Sequence, residues 1–182
     1  MIIVLSGKPG SGKSTVGRLL AKKLGYKFYS MGDFRGKLAL ERGLTVDQLN
    51  AIGEKEFWTD KLADDYQKRL GESENNFVMD SWLGFYFIPR GVKIFLDVNP
   101  DVAAKRVFMD QREDEEKQKS VEDVKEMLSK RVIQTQKRYY KYYGIKNIYD
   151  KKHYDAVIDT TKLSPEQVIE KILSFLRKNK KI

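Results

Sequence analysis

Short apolar runs alternate with amphipathic stretches along this chain, and the alternation predicts its architecture. Five such runs predict strands, at residues 2–5, 27–30, 76–80, 92–98 and 154–159. Because helical patterns separate each strand from the next, we expect neighbouring strands to pair in parallel through crossover connections. The pattern therefore predicts an α/β fold with one five-stranded parallel sheet and helices on both of its faces.

Three helices are predicted between the second and third strands. The first begins near Asp33, which can serve as its N-cap, and stops before Gly43. Thr45, with Gln48 three residues later, predicts a capping box at the start of the second. The third carries large apolar residues at intervals of four, namely Trp58, Leu62, Tyr66 and Leu70. This spacing predicts that the four side chains form one buried face.

The length and composition of the chain indicate the size and class of the protein. A chain of 182 residues that is 41% hydrophobic is long enough for a full core and short enough for one domain. The absence of cysteine excludes a disulfide framework, a Cys-ligated zinc site and thiol catalysis, and the single His153 excludes a metal site with several histidine ligands. No apolar run approaches the roughly 20 residues of a membrane span. We expect a single cytoplasmic, monomeric domain over residues 1–182.

The net charge of +9 does not by itself choose between binding of nucleic acid, binding of a small phosphorylated ligand and solubility alone. A basic surface gains affinity for nucleic acid by releasing counterions, and a few focused Lys and Arg residues can equally gather a small phosphorylated ligand. Residues 137–143 interleave basic and aromatic side chains, as platforms that stack on nucleic-acid bases do. The same segment also fits the end of an amphipathic helix whose tyrosines pack against the sheet.

Residues 7–14, Gly-Lys-Pro-Gly-Ser-Gly-Lys-Ser, match the phosphate-binding P-loop pattern G-x-x-x-x-G-K-[ST] between a predicted strand and a predicted helix. Its glycines permit a tight turn with inward N–H groups, and we expect that side chains at these positions would block the phosphate. Lys13 would reach the β- and γ-phosphates, and the Ser14 hydroxyl would bind Mg²⁺. The sequence therefore predicts a nucleoside triphosphate site, lined by Gly7, Pro9, Gly10, Ser11, Gly12, Lys13, Ser14 and Thr15.

Beyond the P-loop, the chain resembles the small nucleoside monophosphate kinases, and most closely the cytidylate kinases of the archaeal type. The resemblance covers nearly the whole chain and rests on the order and spacing of the P-loop, residues 30–33, residues 93–98 before a helix that holds Arg106, residues 137–145 and residues 154–161. It implies a P-loop kinase domain with ATP and Mg²⁺ as cofactors and a nucleoside monophosphate, CMP or dCMP, as acceptor. It also implies a helical acceptor-binding flap at 33–71 and a helical lid at about 109–137.

The resemblance assigns roles on the donor side of the site. Asp33 and Asp80, at or just past the ends of two strands, would organise the metal ion together with Ser14. Arg106 would lie against the donor base, and Thr160 would contact the same base. Asp33 is also expected to act in catalysis.

The resemblance also assigns catalytic arginines to the lid. Arg131 and Arg138 lie seven residues apart, hence on one helix face, and match lid arginines that bring positive charge to the transferring phosphoryl group. The lid would also exclude water, which otherwise would accept the phosphoryl group. Where the family often has a further arginine this chain has Asp110, so Arg112 is the nearest substitute.

The chain departs from the family pattern on the acceptor side. Gly36 and Trp82 stand where the family has arginines that bind the acceptor phosphate, and tryptophan cannot make a bidentate phosphate contact. Nearby cations can take over, among them Arg35, Lys37, Lys61 and Arg90. The residues expected to bind the acceptor are Asp33, Arg35, Lys37, Asp80 and Trp82.

Two further explanations of this departure stay open. The acceptor can differ from CMP, with Trp82 stacking on its base or filling an apolar pocket, or the chain can have lost efficient kinase activity while it keeps ATP binding. The alternative functions are accordingly a P-loop kinase of another nucleotide or small metabolite, and a nucleic-acid-binding NTPase.

Overall fold

The apolar runs form a single parallel sheet in the computed structural model, which describes residues 1–112 and 115–181. Within these residues the sheet has five strands, β1 Ile2–Gly7, β2 Lys27–Ser30, β3 Phe77–Asp80, β4 Val92–Asp97 and β5 Ala156–Asp159. Their order is β2-β3-β1-β4-β5, and each neighbouring pair is parallel. The predicted α/β fold is confirmed. Residues 113 and 114 of the predicted lid lie outside the described residues.

Eight α-helices connect and cover the strands in the described part of the chain. They are α1 Lys13–Leu24, α2 Met31–Leu40, α3 Val46–Lys55, α4 Trp58–Ser73, α5 Gly84–Phe87, α6 Pro100–Met109, α7 Val121–Tyr143 and α8 Pro165–Lys178. The predicted capping box of Thr45 and Gln48 is present at the start of α3. The short α5 and a 3₁₀ turn at Lys151–His153 are not predicted from the sequence. None of the helices described is long and apolar enough to cross a membrane.

β1 lies at the centre of the sheet, and its side chains alternate between two hydrophobic cores. Ile3 and Leu5 pack with residues of α1 and α8 on one face, whereas Ile2 and Val4 pack with residues of β3 and α4 on the other. All four side chains are buried, as expected for a parallel strand with helices on both sides. The loop after β1 therefore emerges at the middle of the carboxyl edge of the sheet, where open α/β sheets bind ligands.

The predicted apolar face of α4 is wrong at Leu62, whereas Trp58, Tyr66 and Leu70 pack against apolar clusters. Leu62 is 40% exposed, and the buried side of the helix instead includes the polar residues Asp60, Asp64 and Gln67. Four residues of an α-helix span about 400°, so a row of side chains four apart drifts about 40° at each step. Over the 12 residues from Trp58 to Leu70 the row therefore turns through about 120°, so the four side chains do not share one narrow face.

The start of α2 also differs from the expectation. Its N-cap is Ser30, whose hydroxyl accepts a hydrogen bond from the backbone N–H of Asp33 at 3.1 Å. Asp33 therefore lies inside the first turn, and its carboxylate is left for contacts with other elements.

Candidate active site

The P-loop, residues 7–14, is seated tightly against β4 and α6. A Cβ atom on Gly7 would lie 2.1 Å from the carbonyl oxygen of Leu96, and one on Gly10 would lie 2.8 Å from atoms of Ala103. Both glycines also have positive φ, 150° and 73°. The expectation that a side chain would block the phosphate stays a prediction, and the structure gives a further reason for Gly7 and Gly10. At these two positions the neighbouring protein itself excludes a side chain.

Lys13, Ser14 and Asp80 meet beside the loop. The Lys13 ammonium donates a hydrogen bond to the carbonyl oxygen of Lys8 at 3.0 Å, and the Ser14 hydroxyl donates to Oδ2 of Asp80 at 2.5 Å. Burial lowers the pKa of Lys13, and the Asp80 carboxylate partly opposes this. Burial also raises the pKa of Asp80, against the attraction of Lys13. A phosphate at Lys13 and a cation at Asp80 would each stabilise the charged form of the side chain.

The donor atoms around Ser14 suit a magnesium ion. A hydroxyl and a carboxylate oxygen lie together next to the P-loop, and oxygen ligands are those that Mg²⁺ prefers. Asp33, predicted as a further metal ligand, is in contact with Arg18 at 2.5 Å and Arg112 at 3.4 Å. Its carboxylate thus joins α1 to the lid segment, and its role at the metal stays a prediction.

Arg106 and Thr160, both predicted to lie at the donor base, are in direct contact. Arg106 donates to the carbonyl oxygen of Thr160 at 2.8 Å and to its hydroxyl at 3.3 Å. The Thr160 hydroxyl lies within hydrogen-bond distance of the backbone carbonyl oxygens of Ser11, at 3.1 Å, and Asp97, at 3.0 Å, and can donate its single proton to either. This buried side chain therefore fastens the P-loop to the end of β4, a contact that sequence reasoning missed. Its contact with a donor base stays a prediction.

Arg131 lies between the lid segment and the flap. Its side chain is 16% exposed and pairs with Glu115 at 2.8 Å and with Asp47 of α3 at 2.9 Å. A positive group is thus held over the cavity by two carboxylates. To contact a phosphoryl group, the Arg131 guanidinium would have to give up at least part of its pairing with Glu115 and Asp47.

The acceptor side contains two arginines that share one carboxylate. Arg35 of α2 pairs with Asp60 of α4 at 3.2 Å, and Arg138 of α7 approaches the other oxygen of Asp60 at 2.9 Å. Sequence reasoning proposed Arg35 as a substitute cation, placed Arg138 with the lid and missed Asp60. The missing signal was tertiary, because three separate helices supply the three side chains.

The other cations proposed for the acceptor side face elsewhere. Lys37 is exposed and lies 3.9 Å from Glu41, and Lys61 is exposed and pairs with Asp65. Arg90 donates to backbone carbonyl oxygens near the end of α4. The expected role of Lys37 in acceptor binding is therefore not supported by its position.

A buried polar chain continues from the arginines toward the P-loop strand. Tyr143 of α7 donates to Asp64, Gln67 donates to the same carboxylate at 2.9 Å, and Ser81 donates to Gln67 at 2.7 Å. Burial raises the pKa of Asp64 to about 7. These α4 residues lie on the helix face that the apolar spacing had not predicted to be buried.

One cavity of about 1010 Å³ unites these groups. Sixteen of the predicted site residues line it, namely Pro9, Gly10, Ser11, Gly12, Lys13, Ser14, Thr15, Asp33, Arg35, Asp80, Trp82, Arg106, Arg112, Arg131, Arg138 and Thr160. Gly7 and Lys37 are the predicted residues that do not. Residues of the predicted donor and acceptor sides, including residues of the predicted flap and lid, thus line one space.

The tyrosines near the end of α7 are largely used inside the protein. Tyr139 is buried, Tyr142 donates to the carbonyl oxygen of Gly53 at 2.8 Å, and Tyr143 donates to Asp64. Of the four tyrosines in this segment, only Tyr140 is highly exposed, at 58%. This arrangement favours the packed amphipathic helix over a stacking platform for nucleic acid.

Several known proteins that are similar to this chain in sequence or fold are kinases. The model of the cytidylate kinase-like family matches residues 2–162. A cytidylate kinase of Archaeoglobus fulgidus is 32% identical over 181 residues, which cover 99% of this chain and 97% of the relative. One of Natronomonas pharaonis is 38% identical over 170 residues, 92% of this chain and 85% of the relative. The solved shikimate kinase from Aquifex aeolicus has a TM-score of 0.62 and 26% identity, with 98% of both chains covered.

Proposed function

The chain belongs to the cytidylate kinase-like family and is a nucleoside monophosphate kinase, and from this premise we propose that it phosphorylates CMP or dCMP with ATP. An oxygen of the acceptor phosphate attacks the γ-phosphorus of ATP. The bond between that phosphorus and the β–γ bridging oxygen breaks, and ADP leaves with the electron pair. The products are ADP and CDP or dCDP.

The observation that carries the proposal is the shared cavity. It holds a P-loop with Lys13 on one side and the arginines Arg35 and Arg138 on the other. Phosphoryl transfer needs positioning and electrostatic stabilisation more than covalent participation by the protein. A single space with phosphate-binding groups for two nucleotides supplies that positioning.

The donor-side residues have defined tasks in this proposal. The P-loop N–H groups and Lys13 bind the phosphates of ATP. Ser14 and Asp80 would hold Mg²⁺, with Asp33 nearby, and the ion would neutralise charge on the transferring group. Arg106 and Thr160 would border the donor base. Their hydrogen bonds to each other and to the P-loop support this position.

The lid residues Arg131 and Arg112 would act on the transferring phosphoryl group. Both line the cavity, and Arg131 contacts carboxylates of the flap and of the lid segment at the same time. Closing the flap and the lid together excludes water, which protects ATP from hydrolysis.

One alternative acceptor class is favoured by a specific observation. The Aquifex aeolicus protein that shares 26% of its sequence with this chain is a shikimate kinase. A pair of arginines can bind a carboxylate as well as a phosphate, so a small carboxylate-bearing alcohol is the second candidate acceptor.

An acceptor panel tests the proposal. ADP release with Mg-ATP should be measured by a coupled assay for CMP, dCMP, UMP, AMP, dTMP and shikimate. We expect the highest kcat/KM with CMP or dCMP. A higher kcat/KM with another member of the panel would replace the proposed acceptor, and ADP release that is independent of every acceptor would contradict it.

A further inference from the structure

We propose that Asp60 holds Arg35 and Arg138 as a pair that binds the phosphate group of the acceptor. This arginine pair would replace the two arginines that are missing at positions 36 and 82. The inference rests on the proposed function, because it concerns how the same cavity recognises an acceptor that carries a phosphate. It gives Arg138 a different role from the lid role expected from the sequence.

The geometry brings the pair together from separate helices. One carboxylate oxygen of Asp60 lies 3.2 Å from the Arg35 guanidinium, and the other lies 2.9 Å from Nε of Arg138. Arg35 is further fixed by donating to the carbonyl oxygen of Thr59 at 3.1 Å and to Asn50 at 2.8 Å. Since both long side chains are already ordered, less conformational entropy is lost when an anion binds.

The charges of this cluster do not cancel. The Arg35 side chain is 12% exposed and those of Asp60 and Arg138 are 3% exposed, so two guanidinium groups face one carboxylate in a largely desolvated place. The next acid, Asp64, carries only part of a negative charge near neutral pH, because burial raises its pKa to about 7. Buried charges that lack full compensation are costly. A phosphate would supply the missing negative charge.

The cluster also has unused hydrogen-bonding capacity. Nε of Arg138 and Oδ2 of Asp60 are close but not aligned for a hydrogen bond. Both atoms, and the hydroxyl of Thr59, are buried without a hydrogen-bond partner among the described residues. Buried polar atoms without partners are uncommon in folded proteins and call for a specific explanation. A phosphate oxygen in the adjoining cavity would accept a hydrogen bond from Nε of Arg138, whereas Oδ2 of Asp60, itself an acceptor, is compensated only by the charge of Arg138.

The test compares three variants with a matched control. Arg35→Lys and Arg138→Lys keep a positive charge but lose the planar fork, and Asp60→Asn removes the carboxylate that holds the pair. Lys61→Met is the control, because Lys61 follows Asp60 directly but is exposed and pairs with Asp65. For each protein, kcat and the KM values for CMP and ATP should be measured, together with Tm and the inhibition constant of cytidine as a competitor of CMP.

We expect the KM for CMP to rise roughly 10- to 150-fold in each of the three variants, as for the loss of a charge-assisted hydrogen bond. The KM for ATP should stay within about twofold, and cytidine, which has no phosphate, should inhibit as in the parent. This split separates phosphate recognition from a merely structural role, which would change all three constants. Lys61→Met should match the parent throughout.

Three results would contradict the inference. An unchanged KM for CMP in folded Arg35→Lys and Arg138→Lys would remove the pair from the phosphate site, and these two variants decide the matter if Asp60→Asn does not fold. A lower KM for CMP in Asp60→Asn would show that Asp60 competes with the phosphate instead of holding the pair. If the parent protein phosphorylates no nucleoside monophosphate, the proposed function fails, and the inference fails with it.

Discussion

The Lys13 ammonium lies 3.0 Å from the carbonyl oxygen of Lys8 and donates a hydrogen bond to it across the P-loop. The lysine that would bind the ATP phosphates is thus held beside its own loop by a backbone carbonyl oxygen. Burial lowers its pKa, which means that the charged form is disfavoured there until an anion arrives.

Replacing Lys13 with methionine should remove activity without unfolding the protein. We expect kcat to fall about 10²- to 10³-fold, equivalent to about 3–4 kcal/mol of transition-state stabilisation. Tm should stay equal or rise, because a buried charge is removed. Lys22→Met, on the exposed end of α1, should change neither value. A strong fall of Tm in Lys13→Met would show that Lys13 is structural.

Arg131→Ala should reduce kcat more than it weakens ATP binding. The guanidinium reaches the cavity from α7 and is paired with Glu115 and Asp47, so its loss removes positive charge from the transferring group. We expect at least a 100-fold lower kcat and a Kd for ATP within about threefold of the parent. Lys130→Ala is the matched control, because Lys130 is the exposed neighbour on the same helix. Equal kcat values in the two variants would take Arg131 out of the reaction.

Asp64 should make the stability of the protein fall as the pH rises from about 4 to about 7. Burial raises its pKa from 3.8 to about 7, so in this window the folded state binds more protons than the unfolded state does. The stabilisation is complete below the unfolded pKa and is lost as the pH passes the folded pKa. Urea unfolding at pH 5 and pH 8 should give a stability difference that is about 2–3 kcal/mol larger for the parent than for Asp64→Asn.

The control for this measurement is Asp65→Asn. Asp65 follows Asp64 directly, but its side chain is 56% exposed and pairs with Lys61. Its variant should keep the pH dependence of the parent. If Asp64→Asn and Asp65→Asn respond to pH in parallel, the carboxyl group of Asp64 does not titrate in the expected window.

Trp82→Arg should not improve the use of CMP. Trp82 lines the cavity and packs with the apolar cluster around Leu83 and Phe85. A third guanidinium would be placed near Arg35 and Arg138, which already carry more charge than Asp60 neutralises. We expect the KM for CMP to stay the same or rise, whereas Trp82→Phe should resemble the parent. A KM that falls tenfold or more in Trp82→Arg would support a weakened acceptor site instead.

The sheet and the P-loop could be predicted because their signals are local. A short apolar run followed by a glycine-rich turn predicts a strand and a phosphate loop from neighbouring residues alone, and residues 2–14 follow that prediction. The capping box at Thr45 is equally local. In each case the atoms that interact are only a few residues apart in the sequence.

The acceptor side could not be predicted in the same way. Asp60 looks like one of several acids on a charged helix, and only the packing of α2, α4 and α7 brings it to Arg35 and Arg138. A carboxylate is buried where it meets its counter-charges, and the spacing of apolar residues along one helix carries no information about that. The hydroxyl of Thr160 reaches the P-loop across 149 positions for the same reason.

The central claim, that this cavity moves the γ-phosphoryl group of ATP to CMP, is tested most directly by following the label from [γ-³²P]ATP. The parent protein, CMP and Mg²⁺ should place the label in CDP, and its appearance should require both CMP and Lys13. Label found only in inorganic phosphate, or a Lys13→Met variant that labels CDP at the parental rate, would contradict the account.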